Sequence, residues 1–274
     1  MAATTADLVL NRVFDAPVEL VFKAWTDPQH LARWWGPAGF TNPRCEFEAR
    51  PGGRIHIDMR GPDGTTFPMT GTVAEIVPNK KLVMVCQAHF DQSGVPQLEV
   101  TNTAVFEDDH GRTRLTLTAV VVKATEAAAQ ALQGMTAGWT QTLQRLGGLV
   151  ASTAVGVPTD HLEREIIESR TYLAPRDLVY RMFTEPEHLA KWWGPHGFST
   201  VTDHLRPERL VYEHASPPPH EVTVIFTEVK GATRVYFRMV FPDATELAKT
   251  VNVFKADNGL GQTLDRLTQH LSTV

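Results

Sequence analysis

Cysteine is nearly absent: the 274-residue chain has two, Cys45 and Cys86, too few for a disulfide framework and without a zinc-like spacing. They read as reduced thiols in a cytoplasmic protein. No apolar run reaches the roughly 18 residues of a membrane-spanning helix. The stretch Met1-Ala2-Ala3-Thr4-Thr5 has no basic region followed by an apolar core, so neither secretion nor membrane insertion is expected. Charge of one sign is lacking too. Against 31 acidic residues stand 26 lysines and arginines, a formal charge of −5. That argues against nucleic acid or an anionic membrane as the main partner, because both favour a concentrated basic surface. The common catalytic signatures are also missing: there is no serine elbow, phosphate loop, HExxH pair or dinucleotide loop. No cofactor and no metal is expected.

What the chain does have is tryptophan in an unusual arrangement. Trp34-Trp35-Gly36-Pro37 is followed by Gly39-Phe40, and the device recurs as Trp192-Trp193-Gly194-Pro195 with Gly197-Phe198. Adjacent indoles are favourable only where each ring has a surface to fill. Gly36 and Pro37 then stop the helix that carries them. At a shift of 158 positions, residues 12–40 align with 170–198, and 16 of the 29 pairs are identical. Further on, Gly111-Arg112-Thr113-Arg114 aligns with Gly231-Ala232-Thr233-Arg234, and Gln141-Thr142-Leu143 with Gln262-Thr263-Leu264. A repeat of this length is a duplicated domain rather than a solenoid unit. Between Phe40 and Leu82 the first copy has 41 residues, whereas the second has 11 between Phe198 and Leu210. The second copy has therefore lost 30.

Within the first copy, Leu8 to Phe14 reads as a strand. Pro17 opens a helix with Leu20, Val21, Ala24 and Trp25 on its apolar stripe, and Asp27 caps a second helix that ends at Gly36-Pro37. Strands follow at about 43–49, 54–60, 66–76, 81–90, 98–107 and 112–122, separated by strong turn signals such as Gly61-Pro62-Asp63-Gly64. Alternation in Ile55/Ile57/Met59 and Leu115/Leu117/Ala119/Val121 gives the sheet one buried and one wet face. From about 124 to 150 the period changes, with Leu132, Met135, Trp139, Leu143, Leu146 and Val150 forming the stripe of a long helix. Gly134 and Gly138 inside it signal either close packing on a strand or a void lined by Met135 and Trp139.

This order, with Arg12, Phe14, Ala16-Pro17, Thr26-Asp27-Pro28, Trp34-Trp35-Gly36-Pro37 and Arg50-Pro51-Gly52-Gly53-Arg54, resembles a known family. It is similar to the activator of Hsp90 ATPase homologue 1-like (AHSA1-like) family of the START/Bet v 1-like (SRPBCC) superfamily. The resemblance implies an α+β helix-grip fold, a curved antiparallel sheet around a long C-terminal helix, in the strand order 1-7-6-5-4-3-2. It implies a cavity between sheet and helix, a bacterial source and no single activity. Relatives in the wider superfamily bind lipids or apolar small molecules or act as cyclases, and the namesake contacts a chaperone. On this reading, residues 1–153 form a complete domain. Residues 159–274 form a truncated one lacking strands 2–4, with a four-stranded sheet in the order 1-7-6-5 and a helix over about 246–272. A half-length sheet is not expected to enclose a large pocket, so the second domain reads as structural. Its edge strand near 209–215 is a candidate homo-oligomer contact.

The default site is the interior of the first domain. Its cavity candidates are Trp34, Ile57, Met59, Phe67 and Met69, together with Met84, Cys86, Met135 and Trp139. His89 and Glu99 flank a hairpin and are candidates for a polar pair at the cavity mouth, which would allow general acid–base chemistry. His56 and Asp58 face water. The expected role is non-catalytic binding of an apolar small molecule or of a partner protein. The alternatives are a cyclase- or hydrolase-like enzyme on a hydrophobic substrate and a co-chaperone-like protein-binding module. A tryptophan motif kept by a copy without strands 2–4 is read as holding its helix to the sheet rather than touching a ligand.

Overall fold

The computed structural model describes residues 8–157, 159, 161–193, 203–204, 208–214, 218–254 and 256–274. Gly194-Pro195, Gly197-Phe198 and Pro217 lie outside the described residues. The chain divides into two compact units, Met1–Val150 and Ala151–Val274.

The first unit opens with β1 (Leu8–Phe14), α1 (Val18–Thr26) and α2 (Pro28–Trp34). Asp27 caps α2 as its side chain accepts hydrogen bonds from the Gln29 amide at 2.9 Å and the His30 amide at 3.3 Å. Proline follows at the first helical position, where its missing N–H costs nothing. Gly36 ends the segment with a φ of +92°, a conformation open to glycine. Six strands then run in sequence: β2 (Thr41–Phe47), β3 (Arg54–Arg60), β4 (Thr66–Val77), β5 (Lys81–Phe90), β6 (Pro96–Asp109) and β7 (Arg112–Ala124). The sheet order is β1-β7-β6-β5-β4-β3-β2, antiparallel throughout. A single 3-10 turn, Glu126–Ala128, leads into the long helix α3 (Ala129–Val155).

Register fixes which side chains meet inside. Ile57 stands opposite Cys45 and Met69, and Met84 stands opposite Asn102 and Val73. The inward positions Ile55, Ile57, Val73, Leu82, Met84, Leu115 and Leu117 are buried, while the alternate positions face outward. At Gly53 a Cβ would fall 2.0 Å from the Glu48 carbonyl oxygen, so the turn into β3 closes only around glycine.

The second unit has β8 (Glu165–Tyr172), α4 (Arg176–Thr184), α5 (Pro186–Trp192), β9 (Asp203–His204), β10 (Arg209–His214), β11 (His220–Val229) and β12 (Ala232–Val240). It ends in α6 (Ala244–Phe254) and α7 (Ala256–Leu271), and it includes the last residues of α3. Its sheet order is β8-β12-β11-β10-β9. Two expectations are corrected here. The four-stranded remnant gains a fifth strand, because β9 pairs along β10 through Asp203↔Val211 and His204↔Leu210. This covers part of the β10 edge that was expected to stand open for a homo-oligomer. The single helix over 246–272 is two helices, α6 beside the 3-10 turn at Leu162–Arg164 and α7 against α5 and β8. Among the described residues, no helix is long and apolar enough to cross a membrane.

The two units share local hydrogen bonds that hold equivalent elements. The Trp34 indole N–H donates to the Ala24 carbonyl at 2.9 Å, and the Trp192 indole donates to the Met182 carbonyl at the same distance. The Thr113 hydroxyl donates to the Ala16 carbonyl at 2.7 Å, matched by Thr233 and Ala174 at 2.7 Å. Each tryptophan thereby satisfies a carbonyl in the last turn of the preceding helix that has no intrahelical partner.

Candidate functional site

In the first unit α1, α2 and α3 meet at a cluster of four tryptophans. Trp25 and Trp34 are fully buried, with ring centroids 4.9 Å apart. Trp139 on α3 stacks on Trp25 at 6.2 Å and meets Trp35 edge-on at 5.3 Å. Burying such rings removes roughly 200 Å2 each from water, on the order of 5 kcal/mol by area. Trp34 and Trp139 therefore fill this end of the sheet–helix space with their own rings. The motif is clamped from α3 by Arg145, which is 7 % exposed. Its Nη1 donates to the carbonyls of Trp35, Gly36 and Pro37 at 3.2, 2.9 and 3.0 Å, and its Nη2 to that of Arg33 at 3.0 Å. The Gln141 side chain accepts from the Ala38 amide at 3.2 Å. Sequence reading missed Arg145; the signal was an arginine one turn before the apolar Leu149, between Leu143 and Leu146 of the apolar stripe.

Further along the inner face lies a polar group in apolar surroundings. Asn102 on β6 is 3 % exposed, between Met84 and Ala119 in the register. Its side chain hydrogen-bonds the buried Cys86 sulfur, while its Oδ1 has no partner. Burial pushes the Cys86 thiol up to about 12, against the opposing effect of Asn102. Burial and Glu46 likewise push Cys45 up to about 12. Both cysteines stay protonated near neutral pH and are not nucleophiles. Beside Asn102 on β6, Val100 packs with Ala119 and Val121, and half-buried Met135, Leu132, Leu98 and Leu8 cover them. The signal for Asn102 in the sequence was a polar break in the alternation Val100, Asn102, Ala104, Phe106.

The remaining candidates fall elsewhere. Ile57 and Met69 are paired, buried members of the sheet core. Met59 and Phe67 pair near the far end, where Phe67 is 39 % exposed and lies 6.0 Å from the Phe40 ring. The expected His89–Glu99 pair is not formed. His89 is exposed at a positive φ of 55°, a position the β5–β6 pairing skips, and Glu99 accepts from the Gln87 amide at 2.8 Å. His56 and Asp58 face outward, bonded to each other at 3.0 Å. His56 lines an open groove of about 330 Å3 on the outer face, beside Arg44, Glu46 and Arg54. The arginines there are held by Glu46 and Glu48, so the groove is a self-neutralised surface.

A hollow of about 190 Å3 lies between β10–β12 and the start of α7, lined by Trp193, Tyr212, His214, His220, Phe237 and Leu260 among others. It is a small, open hollow rather than the large enclosed pocket that a half-length sheet was not expected to form, and Trp193 and α7 supply part of its wall. His214 and His220 stack at 4.6 Å, and burial, outweighing the Pro218 carbonyl, lowers the proton affinity of His220. Among the described residues, Glu185, Glu187 and His188 come within 4.8 Å of one another, a spacing suited to a cation. Glu185 already forms an ion pair with Arg181.

A curved seven-stranded antiparallel sheet closed by one long helix makes the first unit a helix-grip protein of the α+β class. The model of the family described as "Activator of Hsp90 ATPase homolog 1-like protein" matches residues 15–151, and the chain belongs to that family. Solved structures similar to it include a protein of Nitrosomonas europaea, 26 % identical over 54 % of this chain and 96 % of that one, with a TM-score of 0.47. A protein of Arthrobacter aurescens is 26 % identical over 57 % of this chain and 91 % of that one, with a TM-score of 0.47. An AHSA1 protein from Silicibacter pomeroyi is 26 % identical over 55 % of this chain and 99 % of that one, with a TM-score of 0.45. No curated protein matches the chain.

Proposed function

We propose that the first unit binds an apolar small molecule without transforming it, between the amino-terminal half of α3 and strands β5–β7. The observation that carries this reading is Asn102, whose buried Oδ1 has no partner. A carbonyl left so costs about 1–3 kcal/mol, and a ligand hydroxyl or N–H donated to it would offset that cost. Half-buried Leu8, Leu98, Leu132 and Met135 supply the apolar walls. Catalysis has no comparable support, since His89 and Glu99 stand apart and both thiols remain protonated. We read the chain as a duplicated domain, 1–153 complete and 159–274 truncated, in a cytoplasmic protein of bacterial origin. The matched tryptophan and threonine hydrogen bonds support the duplication, and the free cysteines fit the location.

Native mass spectrometry of the purified chain, compared with Asn102→Leu, tests the binding. The wild type should retain a small apolar molecule that is released on denaturation. Asn102→Leu should lose it while unfolding at higher denaturant, because the uncompensated carbonyl is gone. If the variant gains stability and the retained mass is unchanged, Asn102 is not the anchor and the reading fails.

A further inference from the structure

The hollow of the second unit lies beyond the stretch matched by the family model, which ends at residue 151. We infer that it is a separate binding site for a single-ring phenol, packed against Trp193 and Phe237 with its hydroxyl donated to the edge of the His220 imidazole. This does not depend on the reading of the first unit.

Size sets the first bound. An engineered cavity of about 150 Å3 holds benzene, and this hollow, open on one side, offers comparable room at about 190 Å3, enough for one aromatic ring with a small substituent. The lining sets the second. Five of its residues, Trp193, Tyr212, His214, His220 and Phe237, present flat rings, which favour a flat guest in offset-stacked or edge-on contact. Leu260 and Met239 close the apolar surface.

The polar group follows from a tautomer. His220 Nδ1 lies 2.8 Å from the Pro218 carbonyl oxygen. That oxygen cannot donate, so Nδ1 carries the proton, and in a neutral imidazole Nε2 is then an acceptor. Burial disfavours the charged ring, with the Pro218 bond working against it and His214 alongside adding to it. The ring is fixed by stacking between His214 at 4.6 Å and Phe241 at 4.8 Å. A rigid acceptor beside stacked rings selects an aromatic molecule with a hydroxyl over one with a methyl in its place.

Titration calorimetry of the full chain with 4-methylphenol and with p-xylene tests this. The phenol should bind about tenfold more tightly, the ratio expected for one hydrogen bond of about 1.4 kcal/mol. His220→Phe keeps a ring in place and removes the acceptor, so it should abolish the preference while p-xylene still binds. Leu260→Trp should fill the hollow and remove both ligands. Asn102→Leu should change neither, which separates this site from the one in the first unit. Equal affinities for the two probes in the wild type, a preference that survives His220→Phe, or binding lost in Asn102→Leu would each overturn the assignment. Circular dichroism checks that each variant is folded. Should Leu260→Trp not fold, the ratio of the two probes in His220→Phe decides alone.

Discussion

Arg145 places a full charge where water does not reach, and the four carbonyls around its guanidinium make that tolerable. α2 is only seven residues long and cannot satisfy its own last carbonyls. The guanidinium does this from another element and ties α3 to the tryptophan turn. Arg145→Met should therefore destabilise the first unit by roughly 3 kcal/mol, since several buried acceptors lose their donor together. Chemical denaturation measures the loss, and near-ultraviolet dichroism of the tryptophan cluster should weaken with it. Arg145→Lys should recover only part, because a point ammonium does not reproduce a planar fork. The site was partly legible at this scale. A holding role for Trp34 followed from the recurrence of its motif in the sequence, and the structure places the Trp34 and Trp192 indoles each on a carbonyl of the preceding helix rather than on the sheet. Arg145 and Asn102 were not legible, because each looks like an ordinary polar residue until the partner strands and helices are in register.

At the scale of elements, periodicity gave most of the first unit. The strand at 54–60 and the Asp27 cap are where the sequence places them, and the order 1-7-6-5-4-3-2 implied by the resemblance is the order found. What failed were features set by neighbours rather than by the local pattern. The left-handed backbone at His89 is not announced by a glycine or a turn signal, and β9 exists only by pairing with β10. The glycines of α3 show the same limit. Both the close-packing and the void readings placed them against the sheet. Yet Gly134 is exposed and a Cβ there meets nothing within 4 Å, while one at Gly138 meets only Pro37 Cγ, at 3.9 Å. Gly134→Ala should therefore be stabilising, by close to 1 kcal/mol, because it removes backbone freedom from the unfolded chain without a clash. In a unit of this size that is a rise in melting temperature of about 2–4 °C. Calorimetry reads it directly, and an unchanged or lower value would mean that α3 needs glycine there for another reason.

The two units of the whole molecule carry different titratable groups, and this gives them different responses to acid. In the second unit, burial lowers the proton affinity of His220, opposed by Pro218 and reinforced by His214. Burial also lowers that of His270, which faces His188 and Lys191. A histidine whose folded pKa lies below its ordinary 6.5 is protonated first in the unfolded chain. Its contribution to stability is complete above that value and declines as pH falls toward the folded pKa. In the first unit the shifted carboxylates, Asp27, Glu46, Glu48 and Asp63, are all lowered. At Asp27 burial works against the charge, but the His30 and Gln29 bonds outweigh it and hold the pKa below 3.8. Its contribution persists until the pH drops beneath that ordinary value. Calorimetry of the full chain at a series of pH values should therefore resolve two transitions. Between pH 7.5 and 5.5 one should move down while the other stays, and His220→Phe should flatten the slope of the moving one. Arg145→Met should shift the other, which identifies it as the first unit. If both transitions moved together through that range, or if a single transition persisted in Arg145→Met, the two units would be one cooperative body, and the binding sites assigned to them would be coupled rather than independent.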